Sequence, residues 1–570
     1  MKITSKQECE FIRFQAKNKF DRVRGTWCDL LRWGMPYKAN WILSQTAGER
    51  KNQHIVDPTH ILSLRSCVAG FSEGNTSTTR AWARIDTRDS DKNENSENKA
   101  WLQHLTQRVM SYLSSSNFYN AAGAFYCDYH VVNTGAHYFQ ILPQGGFHVY
   151  TLIPGAYYVL DNAFGVASIL VREFSLNVKA LVDQYGVKDK NGRIKWDNFS
   201  RQVKECYERS DYAHMVDVVH IVRENPDFDI RNPDDPNNRQ WLELTYEVGS
   251  ARNGNAYGNG NEFGEILSDK GKDVFLKRFT TKRKPFVVGK STEDFEYGEK
   301  GPMLDALGCV KSLNKKAIGK DTALEQILTP TLQGPATLRK SYITSAPNAF
   351  IPLDARTMGQ KQKVESVFQV NPAIGTLLQD VGDLRQIVDK IFYADFLLFL
   401  SRNPKTRTAA ETNAIVDEQQ RIVGPSLQSL NTTYNVPVLE WVIDYVLFED
   451  PYLKPAPAAL AGQSLKPELV SIFASAQKAA DLPAIDRYIQ AMMAVAQLDP
   501  RVFQKVNLDK LADLYEDRLY LPSGLNNPQG KVDAMREQAA QQAQQKAMLE
   551  QTLPAVAGAA KDVSAAQRQQ

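Results

Sequence analysis

Along the chain, the spacing of apolar residues switches from helical to strand-like and back. Residues 1–35 read as a helix rich in Arg and Lys, with Trp27, Leu30, Leu31 and Trp33 as apolar anchors. Trp101, Leu102, Leu105, Val109, Tyr112 and Leu113 repeat at helical spacing. From Ala124 to about Arg172 the pattern predicts short strands. AFYCDYHV, AHYFQIL and FHVYTLI are separated by NTG, PQGG and PG turns, and MVDVVHIV (215–222) and WLELTYEV (241–248) add two more strands. Residues 86–99, DTRDSDKNENSENK, read as a polar loop, and RNGNAYGNGNEFG (252–264) as a Gly/Asn-rich turn.

After Gly301 the chain turns helical. Residues 328–370 are a Pro-punctuated mixed insert. A long helix is then predicted over 372–400, with Asn371 as N-cap and Pro372 at the first helical position. Ile374, Leu377, Val381, Leu384, Val388, Ile391 and Leu398 form its apolar stripe, and Asp380, Asp383, Arg385, Asp389, Lys390 and Asp395 a charged face, so one side meets water or a neighbouring subunit. Pro404 and a capping box, Thr408 with Glu411, bracket a loop holding Arg402, Lys405 and Arg407 and no acid. A second helix is expected from about Ala409 to Val423, stopped by Gly424-Pro425. Helices continue at Val438–Leu447 and through 467–520, and the Gln/Ala-rich end reads as a helix fraying after Pro554.

The 570 residues suffice for two to four domains. A net charge of +3 rules out a wholesale nucleic-acid condenser, so any nucleic-acid contact rests on local patches. Six scattered cysteines without a CxxC argue for a reducing compartment and against a disulfide or zinc framework. No run reaches the roughly 18 apolar residues of a spanning helix, and MKITSKQECEF lacks a signal-peptide core. Together these predict a soluble cytosolic product without membrane contact.

Catalytic signals are weak. Gly289-Lys290-Ser291 resembles the end of a P-loop, but Lys284 stands where its first glycine belongs. Gly258, Gly260 and Gly264 miss the dinucleotide fingerprint by one residue. His214 and His220, six apart on one face of a strand-like run, lack a third metal ligand, and Cys127 with His130, read as strand neighbours, lack a third partner. The expectation is no enzyme, no cofactor and no metal. The basic stretch LKRFTTKRKPFVVGK (276–290) is more informative: Lys277, Arg278, Lys282, Arg283 and Lys284 form a candidate phosphate-contacting patch, or else a plain solvated face.

In order along the chain, DPTHILSLRSCVAGFSEG with Trp82, WLQHLTQRVMSYLSSSNFYNA, FHVYTLIPGAYYVLDNAFG with VREFSL, YGEKGPMLDALGCVKSLNK, RTAAETNAIVDEQQRIVGP and LVSIFASAQKAADLPAIDRYI resemble segments of the head-to-tail connector, or portal, proteins of short-tailed bacteriophages. The resemblance spans nearly the whole chain. It departs at Ile472 and Phe473, where Pro-Leu is usual, and at Gly289-Lys290, where Arg-Trp is expected.

The resemblance implies an α+β portal fold, α-helix-rich. Its parts would be a β-rich wing (1–300), stem helix 1 (301–327), a mixed clip insert (328–370), stem helix 2 (371–402), a tunnel loop (403–408), wing return helices (409–466), a helical crown (467–530) and a C-terminal helical tail (531–570). It implies a ring, usually of twelve copies, at one capsid vertex of the virion, assembled in the host cytoplasm. Double-stranded DNA would enter and leave through the channel. Arg402, Lys405 and Arg407 would ring that channel, and Asp380, Asp383, Asp389 and Asp395 would line it. Arg339, Lys340 and Tyr342 in the clip would dock terminase and later tail adaptor or tube proteins, and the ring would also meet major capsid and scaffolding proteins. The competing readings are an ATP-driven packaging motor subunit, which needs a complete P-loop, and a tail adaptor.

Overall fold

The computed structural model describes residues 6–43, 50–87, 96–232, 235, 238–248, 275–292, 297–298, 300–328, 332–335, 350–353, 365–366, 374–394, 423–460, 462–470, 482–496, 506–518 and 532–544. In chain order these form α1 (Lys6–Gly34), α2 (Thr59–Asn75), β1 (Ala83–Thr87), α3 (Ser96–Ser115), α4 (Phe118–Val132), β2 (Thr134–Ile141), β3 (Phe147–Thr151), β4 (Tyr157–Asp161) and β5 (Ala167–Asn177). There follow α5 (Val178–Tyr185), β6 (Val187–Lys188), β7 (Ile194–Lys195), α6 (Arg201–Glu208), β8 (Met215–Glu224), β9 (Trp241–Glu247), β10 (Lys277–Thr281) and β11 (Phe286–Lys290). The rest are α7 (Pro302–Leu328), β12 (Leu332–Pro335), β13 (Phe350–Leu353), β14 (Glu365–Ser366), α8 (Ile374–Ile391), α9 (Val436–Glu449), β15 (Leu465–Leu469), α10 (Leu482–Ala496) and α11 (Leu508–Arg518). The fold is thus mixed helix and largely antiparallel sheet. Among the described residues, no helix is long and apolar enough to cross a membrane.

Two compact units divide the chain: residues 1–80 with 109–451, and residues 81–108 with 452–570. The first holds a five-stranded antiparallel sheet, β10-β9-β8-β5-β4, and a three-stranded one, β11-β2-β3. Turn chemistry sets two hairpins: Gly145 and Gly146 between β2 and β3, and Gly165 between β4 and β5, all take positive φ, which costs glycine nothing. An aromatic layer fills this core. Phe125 of α4 stacks on Tyr434 with ring centroids 3.6 Å apart. Gly135 and Gly289 flank that ring: a Cβ on either would come within 2.5 Å of a Phe125 ring carbon, so only glycine leaves room. Phe20 and Trp27 of α1 pack edge-on and against Tyr297.

In the second unit, β1 pairs antiparallel with β15, Ala83 opposite Leu469, and the Trp101 indole donates to the Lys454 carbonyl at 2.9 Å. In the insert, β12 pairs parallel with β13 and antiparallel with β14.

The structure corrects several sequence-based expectations. AFYCDYHV is helical, the core of α4, with Asn133 in the left-handed region (φ 64°) as its C-cap. Ten of its fifteen residues are buried, which hides the helical period. Gly424-Pro425 does not stop a helix: residues 423–430 are helical and continue through a π-turn, Asn431–Asn435, into α9. The single 372–400 helix is interrupted. α8 ends at Ile391, where the Tyr393 N–H bonds the Lys390 carbonyl and Tyr393 takes φ 55°, leaving Phe392 and Ala394 buried. The polar loop is shorter than expected, since α3 starts at Ser96. The expected helical stretch from 467 begins as strand β15. RNGNAYGNGNEFG and the expected 409–422 helix lie outside the described residues.

Candidate nucleic-acid interface

The helix pair α7–α8 is built on one buried stripe. Met303, Ala306, Val310, Leu313 and Ala317 of α7 recur at spacings of three and four, and Val381 and Val388 of α8 lie two turns apart. Gly301 precedes α7, and a Cβ there would overlap the Asn133 side chain, so the close approach requires glycine. Polar ties fix the pair's near end. The Asn314 Oδ1 accepts from the Val56 and Asp57 backbone N–H groups at 2.7 and 2.9 Å. Asp57 takes two hydrogen bonds from Arg385, at 2.7 and 3.1 Å. Burial works to raise the Asp57 carboxyl, but hydrogen bonds from Thr59 and Arg385 outweigh it and hold it below its ordinary value.

Past Ala317 the picture changes: no residue of α7 is buried, and Ile318, Leu324, Ile327 and Leu328 are exposed. On α8, Leu378 and Ile387 are exposed as well. Of the four acids expected along this helix, Asp380 pairs with Lys316, Asp389 accepts from the Ser63 hydroxyl, and Asp383 is exposed. Asp395 lies outside the described residues, as do Arg402, Lys405 and Arg407 of the loop and Arg339, Lys340 and Tyr342 of the insert.

The basic stretch splits into two kinds of cation. Lys277, on edge strand β10, is exposed over the Phe279 ring at 4.4 Å, and Lys282 is exposed over Phe448 at 5.8 Å. Arg278 is half-buried. Arg283 is tied inward: it donates to the Asp444 carbonyl at 2.9 Å and pairs with Glu449 at 3.6 Å. The Lys284 ammonium donates to the Ala167 carbonyl and faces Phe286 at 4.5 Å, and burial pulls its pKa down to about 8. Lys277, Lys282 and Arg283 line a cavity of about 630 Å³ together with Arg172, His220 and Glu243. Arg172 lies over Tyr138 at 4.8 Å and Phe174 at 5.4 Å. It is the cation that sequence inspection missed. Only its place in β5, opposite His220, brings it to the basic stretch.

The nucleotide-binding candidate dissolves on inspection. Lys290 ends strand β11, is 2% exposed, pairs with Asp161 and donates to the Gly165 carbonyl at 2.8 Å. A P-loop lysine instead precedes a helix and reaches phosphates. Cys127 and His130 lie on helix α4, not on a strand. Burial raises the thiol's pKa and lowers the imidazole's to about 3, the reverse of an activated pair. His220 sits inside the sheet, 3.1 Å from Glu243, whereas His214 precedes β8 and meets the Gln202 amide at 3.2 Å.

Residues 6–525 match the family described as "Bacteriophage head to tail connecting protein". The chain is 28% identical over 545 residues to a "Probable portal protein" of Bordetella phage BPP-1, covering 94% of this chain and 92% of that one. It is 25% identical over 534 residues to a "Portal protein" of Salmonella phage epsilon15, covering 93% and 90%. A chain from the solved "Virion of native gene transfer agent (GTA) particle" aligns with 85% of this chain and 98% of its own at 11% identity and a TM-score of 0.31, too low to support an argument about the fold.

Proposed function

Because the chain belongs to the bacteriophage head to tail connecting protein family, we propose that it is the portal of its virion: a ring at one capsid vertex through which double-stranded DNA is packaged and ejected. The observation that carries this is the match across residues 6–525, nearly the whole chain. The exposed apolar residues at the far end of α7, which the chain itself leaves uncovered, support an assembly of copies. In this reading α7 and α8 are the stem helices, 328–370 the clip and 403–408 the tunnel loop. Clip residues Arg339, Lys340 and Tyr342 dock terminase and then tail adaptors. Arg402, Lys405 and Arg407 form a positive ring where the channel narrows. With Asp380 and Asp389 engaged inside the subunit, Asp383 is the described acid of α8 that faces DNA, keeping it sliding.

Ring imaging with mass measurement tests this. Twelve copies of the 64.1 kDa chain weigh about 769 kDa, and a monomer at high concentration would overturn the proposal. For the loop, changing Arg402, Lys405 and Arg407 together to Ala should leave rings and procapsids intact. It should also weaken salt-dependent retention of packaged DNA, since each lost phosphate contact lowers the salt slope by roughly one unit. Wild-type retention in that variant would remove the loop from the channel.

A further inference from the structure

From the last turn of α6 to the start of β8 the chain runs Cys-Tyr-Glu-Arg-Ser-Asp-Tyr-Ala-His, from Cys206 to His214. Its first and last residues and Asp211 fold onto one point: one ligand atom each of Cys206, Asp211 and His214 lies within 4.8 Å of the other two. The backbone brings this about. α6 ends in a Schellman motif, with the Asp211 N–H bonded to the Cys206 carbonyl at 2.9 Å and the Ser210 N–H to the Tyr207 carbonyl at 3.1 Å. Ser210 occupies the left-handed position at φ 62°, where glycine is usual, and such a placement costs a β-carbon residue about 1 kcal/mol or more. His214 is pinned separately, its carbonyl accepting the Val178 N–H at 2.9 Å. Cys206 packs against the small core of Val178, Leu181, Val182 and Val203. Cys206 and His214 are half-buried and Asp211 is exposed, so solvent ions can reach all three.

We propose that Cys206, Asp211 and His214 form a zinc site, with water in the fourth position. A thiolate, an imidazole and a carboxylate together suit Zn²⁺ and disfavour the hard, oxygen-seeking Mg²⁺ and Ca²⁺. Bond lengths near 2.0–2.3 Å at tetrahedral angles place ligand atoms about 3.5 Å apart, so closing the cluster takes about 1 Å of side-chain rotation. Binding is an exchange without redox change: the Cys206 thiol releases its proton and the sulfur takes the metal. The Gln202 side-chain amide lies 3.2 Å from His214 Nε2 and, with its oxygen turned to the ring, accepts the N–H of an imidazole bound to metal through Nδ1, orienting that ligand. Metal in this position fastens the end of α6 to the start of β8, two elements otherwise joined there by the six residues 209–214.

The test uses the full-length protein stripped with chelator and titrated with Co²⁺, then Zn²⁺. The expected result is one equivalent per chain, a thiolate-to-cobalt charge-transfer band, displacement by Zn²⁺ and a higher melting temperature with zinc. Cys206→Ala should abolish the band, and Cys28→Ala should leave it unchanged. If Cys206→Ala folds poorly, the half-buried His214→Gln carries the test and should weaken binding more than Gln202→Ala, for which a loss of about 10–100-fold is expected. A band that survives Cys206→Ala, equal affinity in His214→Gln, or no stoichiometric binding by the wild type would overturn the site.

Discussion

The sheets of the first unit and the far half of α7 treat apolar surface in opposite ways. Every residue of β9 is buried, including Glu243 and Glu247, and each of those acids has a partner: Tyr138 and His220 for Glu243, the Ser200 N–H for Glu247. β11 is buried throughout as well, its lysine included. Beyond Ala317, by contrast, α7 buries nothing, although Ile318, Leu324, Ile327 and Leu328 are as apolar as the strand residues. A surface that one chain completes alone tolerates buried charge, because every partner can be specified. A surface left open is completed by whatever covers it next, which in the proposed reading is another copy.

The contrast can be broken most sharply inside the sheet. Lys290→Ala leaves the Asp161 carboxylate buried without its cation, and we expect a loss of about 3–5 kcal/mol in chemical denaturation. The double change Lys290→Met with Asp161→Leu should recover most of it, since an apolar pair of similar volume avoids the uncompensated charge. A small loss in the single variant would mean that the strand is less closed than its burial implies.

An intermediate effect comes from pH. Burial holds His130 and His137 near a pKa of about 3. Below pH 6.5 the unfolded chain takes up protons that these folded residues refuse, so stability falls as pH drops through 6.5 towards 3. At pH 5.5 the two together cost about 3 kcal/mol. Burial of Asp128, whose pKa is raised to about 6 despite Lys38, works the other way: its folded form gains a proton below pH 6 and returns about 1 kcal/mol. The histidines win, and denaturation midpoints should fall from pH 7 to 5.5. His130→Phe should flatten that fall by about 1 kcal/mol and be neutral or stabilising at pH 7, because neither ring nitrogen of His130 has a hydrogen-bond partner. An unchanged pH profile would show that His130 charges in the folded state.

The smallest effect on folding belongs to the open helix. Ile318→Ser with Leu328→Ser, at sites 50% and 80% exposed, should change the stability of the isolated chain by no more than about 0.5 kcal/mol each. The same pair should shift the balance from rings towards monomers in light scattering. Intact rings at unchanged concentration dependence would place the subunit contacts elsewhere.

How much of this was legible in the sequence depended on whether a period was visible. α1 and the first half of α7 repeat buried positions at helical spacing, and β8 and β9 are short runs rich in β-branched and aromatic residues, so their sequences announce them. α4 does not, because it is buried nearly all round and rich in Phe, Tyr and Val, so its composition imitates a strand. The basic stretch was visible as a run of like charge, but Glu449 and the Asp444 carbonyl reach Arg283 from a helix some 160 residues away. Sequence spacing cannot show that two of its five cations are internal ties. His214 stood out in the sequence, but Cys206 and Asp211 escaped notice beside it for a related reason. Their spacing matches no metal motif until the left-handed Ser210 doubles the chain back.

The pairing of β1 with β15 also sets a timetable. Its partners are about 380 residues apart in the chain, and a ribosome adding about 5–20 residues per second needs roughly 20–80 s to make the stretch between them. During that interval β1 has finished synthesis but lacks β15, the strand it pairs with among the described residues, while the strands of the first unit are already available to pair. The second unit is therefore the last part of each nascent subunit to close. A chain cut short before Leu465 would leave the emerging β1 edge open to strands of other molecules.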